Sequence, residues 1–405
     1  MFEPDLETMP RPELEALQLR RLGRLVGREL GSLDELQSLP FTRKEDLRDG
    51  YPLGRLVVPR EQIRRLHASS GTTGKPTVVP YTRSDLDLFA TVVARCLAAA
   101  GAQPGMTLHN AYGYGLFTGG LGFHDGGERL GLAVVPVSGG MTERQLTLIS
   151  DLRPDVIACT PSYALTLAQA FSERGIAPEE ISLTIAMLGA EPWTEAMRRE
   201  IDANLGVRAV NVYGLSEIIG PGVSSECSEE RSGLHVNEDH FLPEVVDAES
   251  GEPVAEGDRG VLVLTTLTKE AFPLVRYWTG DITSLDRSPC SCGRTLVRMS
   301  PPAGRADDML IVRGVNVYPS QVEAILLELP ELTPYYRIVI ARTGTLDEAT
   351  VEIETSEAGA ELQARAERLL LQTIGCTIAV ELRAPGTLPR SEGGKLSRVD
   401  DRRRT

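Results

Sequence analysis

The sequence is poor in cysteine and has no long hydrophobic segment. Its 405 residues include six cysteines, at Cys96, Cys159, Cys227, Cys290, Cys292 and Cys376. They are too few and too scattered for a disulfide framework, so we expect reduced thiols or metal ligands. No apolar run approaches the length of a membrane span, and the first residues carry neither a basic nor an apolar targeting segment. A cytoplasmic location is therefore expected.

Positive charge, and lysine in particular, is also scarce. The formal net charge of −15 argues against nucleic acid or an anionic membrane as a partner. The only lysines are Lys44, Lys75, Lys269 and Lys395. Where arginine replaces lysine almost everywhere, each remaining lysine is a candidate for a role that needs a compact ammonium group. Two of the four, Lys75 and Lys395, lie in glycine-flanked loops.

One short stretch combines hydroxyls, glycines and a lysine, and it is Ser69-Ser70-Gly71-Thr72-Thr73-Gly74-Lys75-Pro76. Such a segment turns tightly and directs N–H and O–H donors at an anion, which is typical of a phosphate-binding loop. It differs from a Walker A loop in its glycine spacing and in the β run, residues 77–81, that follows it. We predict that it joins two strands. A plain polar turn is the alternative from these residues alone.

The middle of the chain alternates between helical and strand patterns. A helical pattern in residues 11–30 is followed by predicted helices at 84–100, 142–152, 162–174 and 194–205. Predicted strands occupy residues 132–137, 155–159, 184–188 and 208–213. Short β-branched strands separated by helices indicate an α/β fold with a mainly parallel sheet that is covered on both faces.

The texture of the sequence changes twice after this region. Residues 215–303 are rich in glycine turns and isolated strands, which indicates a β-rich subdomain. Residues 306–405 alternate strands and helices in a compact α+β unit of ordinary domain size. We therefore predict an N-terminal domain over residues 1–305, a C-terminal lid domain over residues 306–405, and a hinge at Asp307.

Polar motifs follow the predicted strands. Glu217 lies just after the last strand of the parallel series, where ligands of open α/β sheets collect, and a carboxylate there is a candidate Mg²⁺ ligand. The alternative is a solvated surface glutamate. Asp281 follows an aromatic-rich turn and is suited to accept hydrogen bonds from ribose hydroxyls. Arg305 and Lys395 come later, each beside a glycine.

Taken in order, these motifs resemble those of the adenylate-forming enzymes, and within them the phenylacetate-CoA ligases. The closer resemblance rests on four further segments, residues 40–47 (PFTRKEDL), 112–120 (YGYGLFTGG), 189–193 (GAEPW) and 233–241 (GLHVNEDHF). It covers almost the whole chain. Relatives carry an extra segment between the first helix and Leu33 that is largely missing here. We expect its loss to affect N-terminal packing or a dimer contact. Whether the protein is a homodimer stays open.

The resemblance implies two half-reactions. ATP and a carboxylate give an acyl-adenylate and pyrophosphate, and the thiol of coenzyme A then displaces AMP. By motif match, the implied catalytic residues are Lys395 at the carboxylate and α-phosphate, Glu217 at Mg²⁺ and Arg305 at the ribose with Asp281. The implied nucleotide-binding residues are Ser69, Ser70, Gly71, Thr72, Thr73, Gly74 and Lys75 for phosphate, and Gly189, Ala190, Glu191, Pro192, Tyr213 and Gly214 for adenine. The small domain is expected to swing about Asp307, which withdraws Lys395 and brings up the loop at residues 313–316.

Three aromatic residues lie within six positions, at Tyr112, Tyr114 and Phe117. Because aromatic residues make up only 5% of the chain, this cluster favours a pocket for a flat ring. Ordinary core packing is the alternative for each of them. The predicted substrate is an aromatic acid such as phenylacetate, benzoate or anthranilate. His124 and Asp125 are near in sequence as partners for a polar ring substituent.

Cysteine supplies a separate hypothesis. Cys227, His235, Cys290 and Cys292 are four ligands that could form a closed tetrahedral zinc site of structural type. A set of ordinary reduced thiols is the alternative.

Two other functions remain open at this point. The first is an adenylating enzyme that passes its acyl group to a carrier-protein thiol or to an amine. The second is a nucleotide-binding sensor without catalysis, against which the joint presence of Lys395, Glu217, Asp281 and Arg305 speaks.

Overall fold

The computed structural model describes residues 1–69, 76–305, 310–312, 315–343, 346–391 and 398–404. The α-helices are α1 (Pro4–Glu7), α2 (Arg11–Val26), α3 (Lys44–Asp49), α4 (Arg83–Ala99), α5 (Gly119–Leu130), α6 (Thr142–Leu152), α7 (Pro161–Glu173), α8 (Glu195–Leu205), α9 (Pro319–Leu326) and α10 (Ala360–Ile374). Short 3₁₀ helices occupy Leu33–Ser38, Arg60–Gln62, Pro178–Glu180 and Arg402–Arg404.

The strands of the described residues fall into five sheets. They are β1 (Arg65–Ala68), β2 (Val78–Tyr81), β3 (Thr107–Asn110), β4 (Ala133–Val135), β5 (Val156–Cys159), β6 (Ile185–Gly189), β7 (Arg208–Leu215), β8 (Gly220–Ser225), β9 (Leu234–Val236), β10 (Phe241–Val246), β11 (Gly260–Thr266), β12 (Tyr277–Thr283), β13 (Leu285–Asp286), β14 (Arg298–Met299), β15 (Leu310–Val312), β16 (Val315–Val317), β17 (Tyr336–Thr343), β18 (Leu346–Glu354), β19 (Ala379–Arg383) and β20 (Val399–Asp401).

A central sheet organises the first 305 residues. Its order is β13-β14-β9-β8-β7-β6-β5-β3-β4, and the five strands from β7 to β4 are parallel. Neighbouring residues of β5 face opposite sides: Val156 belongs to one hydrophobic core and Ile157 to the other. The predicted α/β fold with helices on both faces is therefore confirmed.

Helix α5 was not predicted from the sequence, because five of its first nine residues are glycine. The structure gives the reason for two of them. A Cβ atom at Gly122 would lie 2.4 Å from the Phe89 ring, and one at Gly126 would lie 2.5 Å from Val93. Both partners are in α4, so glycine allows the two helices to pack in close contact. Tertiary packing outweighs the low helix propensity of glycine here.

Residues 215–303 form two structures. Strands β10, β11 and β12 make a separate antiparallel sheet. Strands β8, β9, β14 and β13 instead extend the central sheet in antiparallel fashion. The region is as β-rich as predicted, and part of it continues the central sheet.

Residues 310–404 have their own hydrophobic core, between helices α9 and α10 and the sheet β19-β18-β17-β20. We call residues 1–305 the large part and residues 310–404 the small part. Tyr335 of the small part packs into a core of the large part. The boundary after residue 305 stays a prediction, and Asp307 lies outside the described residues. No helix among the described residues is both long enough and apolar enough to cross a membrane.

Candidate active site

A cavity of about 140 Å³ lies beyond the carboxyl ends of the parallel strands, where this fold class binds its ligands. The predicted site residues that line it are Ser69, Tyr112, Phe117, Ala190, Gly214, Glu217 and Arg305. These residues come from widely separated parts of the chain. The structure therefore brings the predicted phosphate, metal, ribose and aromatic elements to one place.

The predicted phosphate loop connects two strands that pair with each other. Strands β1 and β2 pair antiparallel, and at the base of the loop the Ser69 N–H donates to the Thr77 carbonyl at 3.0 Å. The Thr77 N–H donates to the Ser69 hydroxyl at 3.1 Å. Residues Ser70, Gly71, Thr72, Thr73, Gly74 and Lys75 lie outside the described residues. Their placement at the mouth of the cavity stays a prediction.

Hydrogen bonds join the β1–β2 hairpin to residues 112–117, which we call the aromatic loop. The Ala68 N–H donates to the Leu116 carbonyl at 2.9 Å, and Nδ1 of His67 lies 3.0 Å from the same oxygen. The strand that leads into the phosphate loop is thus fixed to the segment that carries Phe117.

Glu217 lies in the turn between β7 and β8. The residue is 7% exposed and lines the cavity. Among the described residues, none donates a hydrogen bond to its carboxylate, whereas its backbone carbonyl accepts one from Nζ of Lys269 at 2.8 Å. A nearly buried carboxylate with no hydrogen-bond donor among the described residues fits a hard cation such as Mg²⁺. Burial lowers the pKa of Lys269 to about 7.

Tyr213, Asp281 and Arg305 meet at the edge of the cavity. The Tyr213 hydroxyl donates to Oδ2 of Asp281 at 2.5 Å, and Nη1 of Arg305 lies 3.5 Å from Oδ1. Burial and the charge of Asp281 raise the pKa of Tyr213 well above its ordinary value, so the hydroxyl keeps its proton. Asp281 is 5% exposed. The three side chains form a ready set of acceptors and donors for a diol.

The predicted adenine segment follows β6. A Cβ atom at Gly189 would lie 2.1 Å from the Val212 carbonyl, so only glycine fits there. Ala190 has a φ of 73°, a left-handed conformation that a non-glycine residue rarely adopts, and it lines the cavity. The Glu191 carboxylate accepts a hydrogen bond from the Ser162 N–H at 2.7 Å, in the first turn of α7. Pro192 lies at a second cavity, described below.

Two of the three clustered aromatic residues line the cavity, and the third does not. Tyr112 stacks on Phe123, with ring centroids 5.3 Å apart and planes at 10°, and both line the cavity together with Phe117. Tyr114 is not among the lining residues. Its hydroxyl accepts a hydrogen bond from Nδ2 of Asn110 at 2.7 Å and lies 3.2 Å from Nδ1 of His124.

Several lining residues were not predicted from the sequence, and they are Lys44, Thr118, Gly119, Phe123, Val212, Leu215, Ser216 and Pro221. Lys44 is the first residue of α3. Two signals could have found it, since it is one of only four lysines and it lies in the segment at residues 40–47. Phe123 lies in the unpredicted helix α5. His124 and Asp125 do not line the cavity, and Asp125 pairs with Arg65 at 2.7 Å.

The small part anchors the base of the loop that carries Lys395. Glu354, 1% exposed, accepts hydrogen bonds from Nη1 and Nη2 of Arg390 at 2.9 and 2.7 Å. It also accepts from the Leu388 N–H at 2.7 Å. The Arg390 guanidinium lies 3.5 Å from the centroid of the Tyr335 ring. Lys395 itself lies outside the described residues, as do Arg313 and Gly314.

A second cavity, of about 800 Å³, lies between the two parts. Pro192, Trp193 and Arg259 line it from the large part, and Tyr318 and Glu323 line it from the small part.

The predicted metal cluster is assembled in the structure. One ligand atom from each of Cys227, His235, Cys290 and Cys292 lies within 4.8 Å of every other. The Cys227 and Cys290 sulfurs are 3.7 Å apart, and the Cys292 sulfur is 3.5 Å from Nε2 of His235. Nδ1 of His235 lies 3.3 Å from the Leu296 carbonyl, which leaves Nε2 free to face the sulfurs.

Sequence profiles of two families match the chain. AMP-binding enzyme matches residues 37–267, and AMP-binding enzyme C-terminal domain matches residues 314–403. A phenylacetate-coenzyme A ligase of Thermus thermophilus is 59% identical over 444 residues, with all of both chains covered. One of Aromatoleum evansii is 46% identical, over 99% of this chain and 97% of its own.

Solved structures agree with these sequence matches. A 2-hydroxyisobutyryl-CoA ligase in its postadenylation state is 28% identical, covers 99% of this chain and 92% of its own, and gives a TM-score of 0.89. The same ligase in its thioesterification state gives a TM-score of 0.73 over the same shares of each chain. Of these two arrangements, the present structure is therefore nearer the postadenylation one.

Proposed function

The chain belongs to the phenylacetate-CoA ligases of the AMP-binding enzyme family, and from that premise we propose that its acid substrate is phenylacetate. It is an AMP-forming acid-CoA ligase, which uses ATP to make an acyl-adenylate and transfers the acyl group to coenzyme A. The observation that carries the choice of acid is the 59% identity over the full length of a phenylacetate-coenzyme A ligase.

The cavity supports an aromatic acid. Its volume of about 140 Å³ is close to the roughly 150 Å³ of an apolar cavity known to accept benzene. The stacked pair of Tyr112 and Phe123 offers a flat wall, and Phe117 offers another apolar surface. Val212 and Pro221 add aliphatic contacts. A phenyl ring fits these walls in size and in chemistry.

A carboxylate is a poor electrophile because oxide does not leave, whereas AMP leaves readily. Forming the adenylate brings two anions together, so fixed positive charge has to lie where they meet. Among the described residues, Lys44 and Arg305 are the cations that line the cavity. We propose that Lys395 supplies a further cation from the small part, and that Lys75 and its neighbouring hydroxyls hold the β- and γ-phosphates.

Glu217 is the proposed ligand of Mg²⁺, because its carboxylate lines the cavity and receives no hydrogen bond from a described residue. A bound Mg²⁺ would neutralise phosphate charge there. Asp281 and Arg305 are proposed to bind the ribose, and the backbone from Gly189 to Pro192 with Tyr213 and Gly214 to bind adenine. The left-handed Ala190 turns that backbone at the cavity wall.

A panel of acids tests the proposed substrate. The purified protein is assayed for pyrophosphate release with phenylacetate, benzoate, anthranilate and 2-hydroxyisobutyrate, each with and without coenzyme A. We expect the highest kcat/KM with phenylacetate, and AMP release that depends on coenzyme A. A higher kcat/KM with a non-aromatic acid would overturn the assignment.

We also propose a cytoplasmic location, since ATP and coenzyme A are available there.

We further propose that the Cys/His cluster binds structural zinc. A tetrahedral site with Zn–S bonds of about 2.3 Å places two sulfurs about 3.8 Å apart, and a sulfur and an imidazole nitrogen about 3.6 Å apart. The corresponding distances here are 3.7 and 3.5 Å. The cluster joins the turn after β8, strand β9 and the loop before β14. It thereby fixes the antiparallel edge of the central sheet.

Elemental analysis of the purified protein tests the zinc proposal. We expect about one zinc per chain, and loss of zinc in Cys292→Ser with a melting temperature lower by about 5 °C or more. Cys376→Ser is the matched control, because Cys376 lies in the small part away from the cluster. Protein without zinc whose stability does not change in Cys292→Ser would end the idea.

A further inference from the structure

A buried lysine lies behind the proposed metal-binding turn. Lys269 follows strand β11, is 4% exposed, and donates from Nζ to the Glu217 carbonyl at 2.8 Å. Nζ also lies 5.3 Å from the centroid of the Tyr81 ring and 5.6 Å from that of Phe272. Burying an amine is unfavourable unless it is bonded, and the hydrogen bond to the Glu217 carbonyl offsets part of that cost here.

A second buried side chain bonds the same turn. The Tyr81 hydroxyl donates to the Ile219 carbonyl at 2.9 Å, and Tyr81 is fully buried at the end of strand β2. The carbonyls of Glu217 and Ile219 are therefore held by donors from two different elements. Tyr81 belongs to the pair of strands that the predicted phosphate loop connects.

The segment that carries Lys269 is itself held in place. The buried Asp85 carboxylate accepts hydrogen bonds from the Glu270 N–H at 2.7 Å and the Ala271 N–H at 3.0 Å. Asp85 also accepts from the Thr82 N–H at 2.9 Å in the capping box of α4. Asp85 therefore links the start of α4, which follows strand β2, to the segment that carries Lys269.

We propose that Lys269 is a positioning residue, which fixes the Glu217 backbone so that its carboxylate enters the cavity in the direction that binds the cation. The proposal rests on the proposed role of Glu217 as the metal ligand. The amine is an N–H donor in either protonation state, so the bond does not depend on its charge. Tyr81 restrains the same turn from the hairpin side.

Mn²⁺ binding separates this role from a merely structural one. Full-length protein is mixed with ATP in the absence of acid, and Mn²⁺ affinity is read from its electron paramagnetic resonance signal, which does not depend on turnover. Lys269→Met keeps the length of the side chain and removes the donor. We expect Mn²⁺ to bind about tenfold more weakly, from the loss of one hydrogen bond. Tyr81→Phe should give a smaller shift in the same direction, and it carries the test if Lys269→Met fails to fold.

Two further variants decide what a result means. In Glu217→Gln, Mn²⁺ should bind at least as weakly as in Lys269→Met, and adding Lys269→Met to it should change the affinity less than twofold, because both act through one carboxylate. Tyr163→Phe, which removes a buried hydroxyl bond to the Gly140 carbonyl, should lower stability without changing Mn²⁺ affinity. Unchanged Mn²⁺ binding in Glu217→Gln would overturn the metal site itself. Weak binding in Glu217→Gln with wild-type binding in Lys269→Met would overturn only the role of Lys269.

Discussion

The two cavities of this protein are built in different ways. The smaller one, of about 140 Å³, is lined among the described residues by the large part alone, from the phosphate hairpin, the aromatic loop and the ends of the central strands. The larger one, of about 800 Å³, has one wall from each part. A movement of the small part would leave these walls of the smaller cavity in place and would change the shape of the larger one.

This difference separates recognition from activation. The walls of the smaller cavity are joined by backbone bonds, such as that between Ala68 and Leu116, and are thus preorganised for the ring. The groups proposed to come from the small part depend on its placement. The TM-scores of 0.89 and 0.73 against two states of one related ligase show that its overall structure differs between those states.

The largest effect is expected from removing the cation that the small part is proposed to supply. Lys395→Ala should lower the rate of adenylate formation about a hundredfold or more, because one preorganised charge is lost where two anions meet. Binding of ATP and of the acid should change little, because the contacts proposed for both come from the large part. Stopped-flow assay of the first half-reaction, with separate titrations of ATP and acid, measures both.

Lys395→Ala should also leave the second half-reaction nearly unaffected when preformed acyl-adenylate is supplied with coenzyme A. A loss of rate in both half-reactions, or an unchanged rate of adenylation, would mean that the small part does not divide the work in this way.

A smaller effect is expected from the anchor of the same loop. Glu354→Gln weakens the paired bonds to Arg390, and we expect adenylation to slow about thirtyfold, from the loss of about 2 kcal/mol of charge-assisted bonding. Burial alone would raise the pKa of Glu354, but the bonds from Arg390 and from the Leu388 N–H lower it, so the carboxylate is charged at neutral pH.

Glu352→Gln is the matched control for this prediction. Glu352 lies two residues earlier in β18 and pairs with Arg337 at 2.5 Å and Arg383 at 2.6 Å, whereas Arg390 pairs with Glu354. Its adenylation rate should stay within twofold of wild type. Equal losses in the two variants would assign the effect to general destabilisation of the small part.

The smaller cavity is tested by its aromatic wall. Phe117→Ala should raise the KM for phenylacetate about tenfold, from the loss of apolar contact with the ring, without changing the KM for ATP. Leu116→Ala is its neighbour and control, since Leu116 is 64% exposed and does not line the cavity. A tenfold change in Leu116→Ala as well would mean that the loop as a whole, and not the Phe117 ring, sets the affinity.

The sequence was informative where structure is decided locally. Helix α7, predicted at residues 162–174, spans Pro161–Glu173, and strand β5, predicted at 155–159, spans Val156–Cys159. Periodicity and caps determine such elements. Helix α5 was not predicted, because its glycines are explained only by close packing against side chains of α4, which are distant in sequence.

The site divides in the same manner. The Cys/His cluster was predicted from four residues, and the structure brings their ligand atoms together. Tyr114 was grouped with Tyr112 and Phe117 by spacing, yet its hydroxyl bonds Asn110 and His124 outside the cavity lining. Lys269 was only a rare residue in the sequence, because its partner, the Glu217 carbonyl, is set by the tertiary fold.

The smallest expected effect concerns the larger cavity. Arg259 is exposed and lines the wall that the large part contributes. If that cavity takes no part in binding the acid or ATP, Arg259→Gln should change the KM of each, and the rate of adenylation, by less than twofold. The magnitude follows from surface charge, which contributes about 1 kcal/mol or less to any one contact. Steady-state kinetics of both half-reactions measure it. A shift of tenfold in the KM of either substrate would show that the space between the two parts also recognises them, and the division between a fixed cavity for recognition and a movable part for activation would fail.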